Sequence, residues 1–279
     1  MRSGFVTLVG RPNVGKSTLL NAIIGEKVSI VSNKPQTTRT RIHGVVTRPD
    51  AQIVFVDTPG LHKPVSALGQ RVNATAIDSI DGVDIACLVI DARQGFGKGD
   101  EWVAQRLPME RTVVVLNKVD RLPRERVLEQ LAAASALGAR DYFPVSARTG
   151  DGVEQLVDYL LAAMPEGPQY YPEDMITDTP EEQWVAELVR EQLLAVMRDE
   201  LPYSIATRVT EWDGNHIRCD IIVERDSQKG MVIGKGGTIL KEVGTRARAQ
   251  LPGGTFLELV VKVDKDWQQR ADRVERLGY

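Results

Sequence analysis

The sequence is poor in the residues that build disulfide-rich or zinc-binding proteins. Its 279 residues include only two cysteines and three histidines, and none of them stands at zinc-ligand spacing. Cys87 and Cys219 each lie in an apolar, strand-like stretch, so we expect two reduced thiols buried in a core. His43, His62 and His216 are scattered, which argues against a metal centre or a serine–histidine catalytic site built from them.

Long apolar runs and an excess of one charge are also lacking. The chain has no stretch of about 18 apolar residues, as a membrane-spanning helix would require. Residues 1–4 lead directly into a predicted strand without the features of a secretory signal, so we expect a cytoplasmic protein. Since the net charge is −3, any nucleic-acid-binding surface must be local.

What the sequence does contain is an ordinary globular composition. Hydrophobic residues make up 42% and charged residues 26%, which allows one large or two modest domains. From Phe5 to Met164, short apolar strands alternate with amphipathic segments, a pattern typical of a mostly parallel sheet covered by helices. A turn signal at Pro49-Asp50 predicts an antiparallel hairpin at one sheet edge. The predicted strands are Phe5–Val9, Ile42–Arg48, Ile53–Val56, Ile85–Ile90, Val113–Leu116 and Tyr142–Val145.

A proline-rich break ends this alternation. Residues 165–174 carry three prolines, which predicts an interdomain linker. We therefore predict an α/β domain at residues 1–164, a linker at 165–180 and an α+β domain at 181–279. The elements predicted for the second domain are a helix at 180–198, strands at 204–212 and 215–224, a helix, a glycine-rich loop, a helix ending near 249 and a strand at 256–263.

A phosphate-binding loop follows the first strand. Residues 10–17 read GRPNVGKS and fit the pattern G-x-x-x-x-G-K-[ST], in which backbone N–H groups approach the phosphates. Lys16 is expected to bridge the β and γ phosphates, and Gly15 lets the loop close around them. By itself the motif indicates only a nucleoside triphosphate. The loop residues predicted to bind nucleotide are Gly10, Asn13, Val14, Gly15, Lys16, Ser17 and Thr18.

The motif Asn117-Lys118-Val119-Asp120 identifies the base. The Asp120 carboxylate can accept from guanine N1–H and the exocyclic amine together, and adenine offers no matching pair of donors. Leaving that acceptor unpaired costs roughly 1.5–3 kcal/mol, enough to prefer GTP over ATP by one or more powers of ten. The motif follows the apolar run 112–116, so it falls at a strand's carboxyl end, where parallel sheets bind ligands. The predicted base site comprises Asn117, Lys118 and Asp120, with Ser146 and Ala147 suited to contact the guanine O6 through their backbone.

A magnesium ion is expected beside the triphosphate. Ser17 should ligate Mg²⁺ through its hydroxyl, and Asp57, at the end of a strand, fits the residue that holds Mg²⁺ through water. The Gly60 N–H is placed to sense the γ phosphate. The polar loop 36–40 is the predicted first switch, in which a threonine completes the Mg²⁺ shell only while GTP is bound. The sequence leaves Thr37 and Thr38 open as that ligand; we name Thr38 as metal ligand, and Lys16, Thr38 and Gly60 as catalytic.

The hydrolysis step departs from a familiar pattern. Leu61 follows Gly60 where Ras-type enzymes place the glutamine that orients the attacking water, so we expect slow intrinsic turnover. The Asn13 side chain could help to hold K⁺ near the phosphates and so supply the charge that other GTPases obtain from an arginine. Equally, Asn13 could be a loop residue that bonds its own backbone.

A second glycine-rich loop lies in the carboxyl-terminal domain. Gly234-Lys235-Gly236-Gly237 connects two apolar helical runs, an arrangement by which KH modules clamp about four nucleotides of single-stranded RNA. A lone G-x-x-G usually marks a tight turn, but the surrounding order of elements matches a KH fold. Trp184, Trp212 and Trp267 are expected to pack in the core or between domains rather than to stack on bases. The residues predicted to bind RNA are Lys229, Val232, Ile233, Gly234, Lys235, Gly236, Gly237, Lys241 and Arg246, with Arg248 adding positive charge nearby.

Eight motifs together carry a resemblance that covers nearly the whole chain. In sequence order they read GRPNVGKS, PQTTRTR, VDTPGLH, NKVD, VSA, YPEDMITD, LPYS and QKGMVIGKGG. With them the chain closely resembles the Era family of bacterial GTPases. The resemblance implies a GTPase domain joined to a KH domain, and maturation of the small (30S) ribosomal subunit through binding of the 3′ end of its 16S rRNA. It also implies a cytoplasmic location with peripheral contact to the inner membrane; we further expect a monomer.

Two other functions compete with a nucleotide-controlled RNA-binding enzyme. One is a membrane-associated signalling switch that acts through a protein effector, with the KH-like domain as an interaction module. The other is a metabolic P-loop kinase, which would need an acceptor site and has no evident use for a guanine motif joined to a G-x-x-G domain. The glycine loop at 234–237 discriminates between the RNA-binding enzyme and the signalling switch, since only RNA binding requires this loop.

Overall fold

The computed structural model describes residues 1–34, 37–61, 66–80, 82–197 and 201–279. The chain divides into two compact units. Unit 1 comprises Met1–Val31, Thr38–Lys63 and Val72–Asp178, and unit 2 comprises Ser32–Thr37, Pro64–Arg71 and Thr179–Tyr279. Among the described residues, no helix has the length and apolar character needed to cross a bilayer.

A six-stranded sheet forms the centre of unit 1. Its strand order is β2-β3-β1-β4-β5-β6, and all neighbours pair in parallel except β2 with β3. The predicted mostly parallel sheet with an antiparallel edge hairpin is therefore confirmed. The strands are β1 (Arg2–Val9), β2 (Ile42–Arg48), β3 (Ala51–Asp57), β4 (Ile85–Asp91), β5 (Thr112–Asn117) and β6 (Asp141–Pro144).

Helices alternate with these strands along the chain. The segment after the phosphate loop becomes helical at Lys16, and the guanine motif continues into a short 3-10 turn at Val119–Arg121. A second 3-10 turn spans Met109–Arg111. The α-helices between residues 16 and 163 are α1 (Lys16–Ile24), α2 (Ala67–Asp78), α3 (Lys98–Ala104), α4 (Arg124–Ser135) and α5 (Val153–Ala163).

Apolar side chains of the central strands point alternately to the two faces of the sheet, so both faces are covered by packed residues. Cys87 and Val113 point into one core cluster, together with Leu19 of α1 and Leu156 of α5. Residues of the opposite parity enter a second cluster, which includes Leu88. Burying each such side chain fully contributes roughly 1.5–3 kcal/mol, so the strands are held in register by their apolar sequence.

The proline-rich segment does not stand apart from unit 1. The Gln52 side chain donates to the Tyr171 carbonyl at 2.9 Å and accepts from the Tyr170 and Tyr171 N–H groups at 2.8 and 3.0 Å. The ring of Tyr170 packs on Phe5 with centroids 4.8 Å apart. Residues 165–178 thus belong to unit 1, although the sequence predicts a linker there.

Unit 2 is built on a three-stranded sheet. Its order is β7-β8-β9, with β7 antiparallel and β9 parallel to β8. The predicted order of elements is found, although β7 starts two residues late because residues 201–204 form a 3-10 turn. The elements are α6 (Glu181–Val196), β7 (Ala206–Asp213), β8 (His216–Val223), α7 (Asp226–Ile233), α8 (Thr238–Arg248), β9 (Phe256–Val263) and α9 (Ala271–Arg276), with further 3-10 turns at Lys235–Gly237 and Trp267–Gln269.

The core of unit 2 contains one of the tryptophans and the second cysteine. Trp267 is wholly buried and its indole N–H donates to the Ser204 carbonyl at 3.0 Å. Cys219 is buried and free, as is Cys87 in unit 1, which confirms the expectation of two reduced core thiols. Trp212 is 39% exposed, so this side chain does not pack in the core, and packing between domains stays a prediction for it.

Candidate nucleotide site and glycine-rich loop

The nucleotide motifs meet at one edge of the unit 1 sheet. Asp57 is the last residue of β3 and Asn117 the last residue of β5, while α1 begins at Lys16 after β1 ends. Because parallel strands end at the same sheet edge, residues far apart in sequence converge there. The edge therefore places the phosphate loop between a carboxylate and the guanine motif.

The phosphate loop has a backbone that only certain residues tolerate. Gly15 caps α1 at φ 101°, and Asn13 also has a positive φ of 65°. A Cβ on Gly15 would collide with the Asn117 side-chain nitrogen, and one on Gly10 would lie 2.5 Å from the Val89 carbonyl. The loop leads directly into the amino end of α1, which carries Thr18 in its first turn, so free N–H groups and the helix dipole favour an anion.

Lys16 is buried with little compensation for its charge. Its side chain is 94% hidden from solvent, and its Nζ donates to the carbonyls of Gly10 and Arg11 at 3.4 Å each. Burial lowers the pKa of the Lys16 ammonium, and the nearby Asp57 carboxylate opposes that effect. A phosphate group at the loop would supply the missing negative charge, which suits the predicted role of Lys16.

Three predicted metal ligands form an oxygen cluster. The Ser17 hydroxyl donates to Asp57 Oδ2 at 2.7 Å, the Thr38 hydroxyl does so at 3.4 Å, and the two hydroxyls are 2.9 Å apart. Asp57 is fully buried, and its Oδ1 has no hydrogen-bond partner among the residues that the structure describes. Such an all-oxygen set with an unsatisfied buried carboxylate oxygen fits Mg²⁺.

The electrostatics of this cluster favour a cation. Burial raises the pKa of the Asp57 carboxyl, although the Lys16 charge and the hydroxyls of Ser17, Ser29 and Thr38 work against it. A divalent cation would stabilise the ionised form and remove that cost.

The two threonines of the predicted switch differ in their contacts. Thr38 is buried and bonds within the oxygen cluster, whereas the Thr37 hydroxyl donates to the Lys34 carbonyl at 2.6 Å. This arrangement favours Thr38 as the metal ligand. Pro35 and Gln36 of the same predicted switch lie outside the described residues.

The loop after β3 lies against the phosphate loop. A Cβ on Gly60 would stand 2.8 and 2.9 Å from the Pro12 backbone nitrogen and Cα, so this position tolerates no side chain. Leu61 is 2% exposed and belongs to the core cluster on one face of the sheet. Its side chain is apolar and turned into the core, so it cannot orient a water molecule. His62 lies outside the described residues.

Asn117 connects the guanine motif to its surroundings without contacting solvent. Its side-chain nitrogen donates to the Val14 carbonyl at 3.0 Å, and its oxygen accepts from the N–H groups of Lys118 and Ala147 at 2.8 and 3.0 Å. Val14 is itself buried. One amide therefore fixes the phosphate loop, the guanine motif and the last predicted base-contacting loop relative to one another.

The carboxylate expected to read the base is held but still accessible. Asp120 Oδ1 accepts from the Ser146 hydroxyl at 2.8 Å, and Oδ2 pairs with Arg121 Nε at 3.2 Å. The Asp120 side chain is 13% exposed. Ser146 is buried and Ala147 nearly so. The Asp120 carboxylate is therefore partly accessible, so that the edge of a guanine base can reach it.

Sequence reasoning missed a third carboxylate in this site. Asp91, wholly buried at the end of β4, accepts from Lys118 Nζ at 2.8 Å and from Arg93 at 2.7 Å. Lys118 Nζ also donates to the Asn13 carbonyl at 2.6 Å. Burial acts to raise the pKa of Asp91, but the hydrogen bonds from Arg93 and Lys118 outweigh it and lower the pKa. The position of Asp91 at a strand end, like Asp57 and Asn117, is the signal that could have found it.

The glycine-rich loop of unit 2 presents its backbone outward. Gly234, Gly236 and Gly237 all have positive φ, between 62° and 78°. Gly234 packs tightly on Ile239, whereas a Cβ on Gly236 or Gly237 would meet open space. Lys235, between them, is exposed. A phosphate of an RNA backbone can thus approach this protein backbone closely, as the predicted RNA-binding role requires.

The residues that flank this loop differ in whether their side chains are exposed to a ligand. Lys241 and Arg246 are exposed and Lys229 is half-buried, although Arg246 pairs with Glu242 at 2.6 Å. Ile233 is half-buried. Val232 is wholly buried in the core of unit 2, so the prediction that its side chain binds RNA is wrong. The apolar period of α7 turns Val232 inward, and it turns the unpredicted Met231, 54% exposed, outward.

Both halves of the chain match known families. Residues 5–118 match the family described as 50S ribosome-binding GTPase, and residues 200–268 match the KH domain. Similar proteins include GTPase Era of Mycobacterium tuberculosis, 50% identical over 99% of this chain and 98% of the relative. GTPase Era of Mycobacterium avium is 48% identical over 100% of this chain and 99% of the relative.

Two crystal structures share the fold of the whole chain. One is Era in complex with MgGDPNP and nucleotides 1506–1542 of 16S ribosomal RNA, with a TM-score of 0.95 and 40% identity. The other is an Aquifex aeolicus Era variant bound to GDP·AlF4⁻, with a TM-score of 0.94 and 40% identity. Each alignment covers 100% of this chain and 99% of the other. With an identity of 50% sustained over 99% of its length, the protein belongs to the Era family of GTPases.

Proposed function

We propose that the protein binds GTP, hydrolyses it to GDP and phosphate, and binds the single-stranded 3′ end of small-subunit rRNA during assembly of the 30S subunit. Nucleotide binding is supported above all by the Asn117 side chain, whose hydrogen bonds connect the phosphate loop to the guanine motif. The RNA part is supported by the outward glycine loop and by the Era structure that holds nucleotides 1506–1542 of 16S rRNA.

Each part of the nucleotide has its own set of residues in this proposal. Gly10, Gly15 and the first turn of α1 cradle the phosphates, and Lys16 neutralises the β and γ groups. Asp120 accepts from the guanine N1–H and amine. The loop at Ser146 and Ala147 is proposed to lie beside the guanine O6, and its N–H groups, which donate to the Asp151 carbonyl and to Asn117 Oδ1, would have to turn toward that oxygen to bond it. Lys118, held by Asp91, lies over the loop at Asn13.

Mg²⁺ is the cofactor that the oxygen cluster fits. Ser17 and Thr38 would hold it directly and Asp57 through water. When bound, the ion neutralises the charge that develops on the phosphate oxygens. The relative with MgGDPNP supports this choice. Thr38 would lose this contact after hydrolysis, because its loop is no longer tied to the γ phosphate.

The hydrolysis step has little help from the chain itself. Leu61 is buried, so slow intrinsic turnover is proposed, with Gly60 contributing its N–H to the γ phosphate. We further propose K⁺ as a second cofactor near Asn13, whose backbone stands at φ 65° in the loop. GTPase rates in matched KCl and NaCl test this part, and equal rates would remove it.

The RNA site is proposed at the loop 234–237 with Lys229, Lys241 and Arg246 around it. Replacing Gly236 by Asp places a negative charge in open space on the loop, and the same change at Gly214 is a matched control. Both glycines have a positive φ and free surroundings, so they carry similar strain. Gly236→Asp should abolish binding of an RNA that copies the 16S 3′ end, and Gly214→Asp should not.

Nucleotide control of RNA binding is the proposed link between the two activities. Loss of the γ phosphate would release Thr38 and the Gly60 loop and change how the KH surface is presented. The test is the RNA affinity of the whole protein with a GTP analogue, with GDP and without nucleotide. Equal affinities in all three states would remove the control and keep the RNA function.

Location and assembly state complete the proposal. We propose a cytoplasmic monomer that also contacts the inner membrane peripherally. Sedimentation equilibrium tests the monomer, and co-sedimentation with anionic vesicles tests the membrane contact. If Gly236→Asp leaves a protein or membrane partner bound and RNA is never bound, the protein is instead a signalling switch that acts through an effector.

A further inference from the structure

Ser29 belongs to none of the nucleotide motifs, yet its side chain reaches the metal cluster. It is wholly buried, and its hydroxyl donates to Asp57 Oδ2 at 3.2 Å. The same carboxylate oxygen accepts from Ser17 and Thr38, so Ser29 is the third hydroxyl on it. The other oxygen, Oδ1, is left free of hydrogen bonds within the described part of the chain. Ser17 and Ser29 thus hold Oδ2 from two sides, with Thr38 at a longer distance, and this fixes the orientation of the carboxylate. The buried Oδ1 is the acceptor that a metal-bound water would satisfy.

The position of Ser29 is fixed by Asn21, on the helix that also carries Ser17. The Asn21 side-chain oxygen accepts from the Val28 and Ser29 N–H groups at 3.0 and 2.9 Å, and its nitrogen donates to the Ser29 carbonyl at 2.8 Å. Asn21 stands four residues after Ser17, so both lie on the same face of α1. One helix therefore supplies a predicted metal ligand and the clamp that positions Ser29.

We infer that Ser29 is a positioning residue for the metal site, and that Asn21 sets Ser29 in place. Ser29 acts through Asp57, which it orients for the metal-bound water, and it touches neither nucleotide nor metal itself. The inference rests on the proposed Mg²⁺-dependent binding of GTP and GDP. Residues that orient a metal ligand typically change metal affinity by about 10–100-fold when they are removed.

Ser29 differs from Thr38 in how its backbone is held. Thr38 lies in the predicted switch, whose contact is proposed to depend on the γ phosphate, whereas the three hydrogen bonds of Asn21 tie Ser29 to α1 without using a switch residue. Ser29 should therefore support the metal site in both nucleotide states. Thr38 should support it only in the GTP state.

The test measures the free Mg²⁺ concentration that half-maximally slows release of a fluorescent nucleotide from the whole protein. For Ser29→Ala we expect this concentration to rise about tenfold or more with both GDP and a GTP analogue. For Thr38→Ala it should rise only with the analogue. Release rates in excess EDTA should match those of the wild type, because Ser29 does not touch the nucleotide.

Ser3→Ala is the matched control. Ser3 is also a buried serine of unit 1, and its hydroxyl donates to the Pro168 carbonyl at 2.6 Å, away from the metal residues. It should lose thermal stability comparably and keep the wild-type Mg²⁺ dependence. Ser29→Ala with a lowered Tm and an unchanged Mg²⁺ midpoint would make Ser29 purely structural and overturn the inference.

Asn21→Asp is a second variant in case Ser29→Ala does not fold. It keeps an oxygen for the Val28 and Ser29 N–H groups, but its second carboxylate oxygen faces the Ser29 carbonyl oxygen to which the amide nitrogen donated at 2.8 Å. This repulsion displaces Ser29, so a rise of the Mg²⁺ midpoint is expected. No rise in this variant would also overturn the inference. Release from the wild type that is indifferent to Mg²⁺ would instead contradict the proposed function, so the two failures are distinguishable.

Discussion

The side-chain nitrogen of Asn117 donates to the main-chain carbonyl of Val14 at 3.0 Å across 103 residues of sequence. The bond runs from the last residue of β5 to the middle of the phosphate loop, and both partners are buried. Because the other end of the Asn117 amide accepts from Ala147, this one side chain couples the base site to the phosphate site. A ligand that fills both halves gains from their fixed spacing.

Gly15→Ala should abolish GTP and GDP binding. The added methyl would collide with Asn117 Nδ2, and the φ of 101° is strained for alanine, so the loop and the Asn117 contact cannot both persist. Titration of a fluorescent nucleotide checks this. Gly25→Ala is the control, since Gly25 ends the same helix at φ 83° with open surroundings and should cost only about 1 kcal/mol of stability. Equal nucleotide affinity in both variants would contradict the steric argument.

Asp120→Asn should change the base preference. An amide at this position can donate to a carbonyl, so the site should lose affinity for GTP by about tenfold or more and gain affinity for xanthosine triphosphate. Competition between the two nucleotides measures the switch. Unchanged GTP preference would show that Asp120 does not read the base.

Asp91→Asn should weaken GTP and GDP binding by about tenfold and leave kcat at saturating GTP nearly unchanged. Without the carboxylate, Lys118 is no longer held over the Asn13 carbonyl, yet Lys16 and Gly60, the residues assigned to the γ phosphate, are left unchanged. Steady-state kinetics separate the two effects. Asp158→Asn, an exposed change on α5, serves as the control and should leave both constants as they are. A fall in kcat alone would contradict the positioning role of Asp91.

The same carboxylate should make stability depend on pH in acid. The folded-state pKa of Asp91 lies below its ordinary value of 3.8, so its contribution is complete above that value and is lost as the pH falls through the lowered pKa. The difference in unfolding free energy between the wild type and Asp91→Asn should be constant from about pH 7 to about pH 5 and shrink toward about pH 3. Urea titrations across this range measure it, and a difference that grew with acidity would have the wrong sign.

The two cysteines should report separately on the two units. Burial raises the pKa of Cys87 and of Cys219 to about 12, from an ordinary value of 9.0. At pH 8 the thiolate fraction in the folded protein is then about 10⁻⁴, so thiol reagents should react only after local unfolding. A GTP analogue with Mg²⁺ should slow labelling of Cys87 in unit 1 and leave Cys219 in unit 2 unaffected. Rapid labelling of either thiol in the native protein would contradict its burial.

The roles of several site residues could be predicted from the sequence because these residues belong to contiguous motifs. Lys16, Ser17 and Asp120 stand in patterns whose spacing reflects a single loop or strand end, and the structure places all three at the same sheet edge. Asp91 and Ser29 have no such motif. Each enters the site through a hydrogen bond to a residue more than 25 positions away, so local spacing carries no trace of it.

Burial was harder to predict than chemistry. Val232 stands beside the glycine loop and reads as part of an RNA groove, yet its place on α7 turns it into the core. The prolines after residue 164 read as a linker, but Gln52 on a distant strand binds this segment through three hydrogen bonds. In both cases the partner surface decides the outcome, and that surface is formed by other parts of the chain.

The sequence by itself determined the two chemical classes, a guanine nucleotide site and a glycine loop in a KH order of elements. It could do so because each depends on a short run of residues with its own backbone and donor pattern. The tertiary structure alone decided which threonine joins Ser17 and Asp57. It also decided which side chains outside the motifs hold the motif residues in place, namely Asn21, Ser29 and Asp91. Those choices depend on distances between strand ends that only the folded sheet brings together.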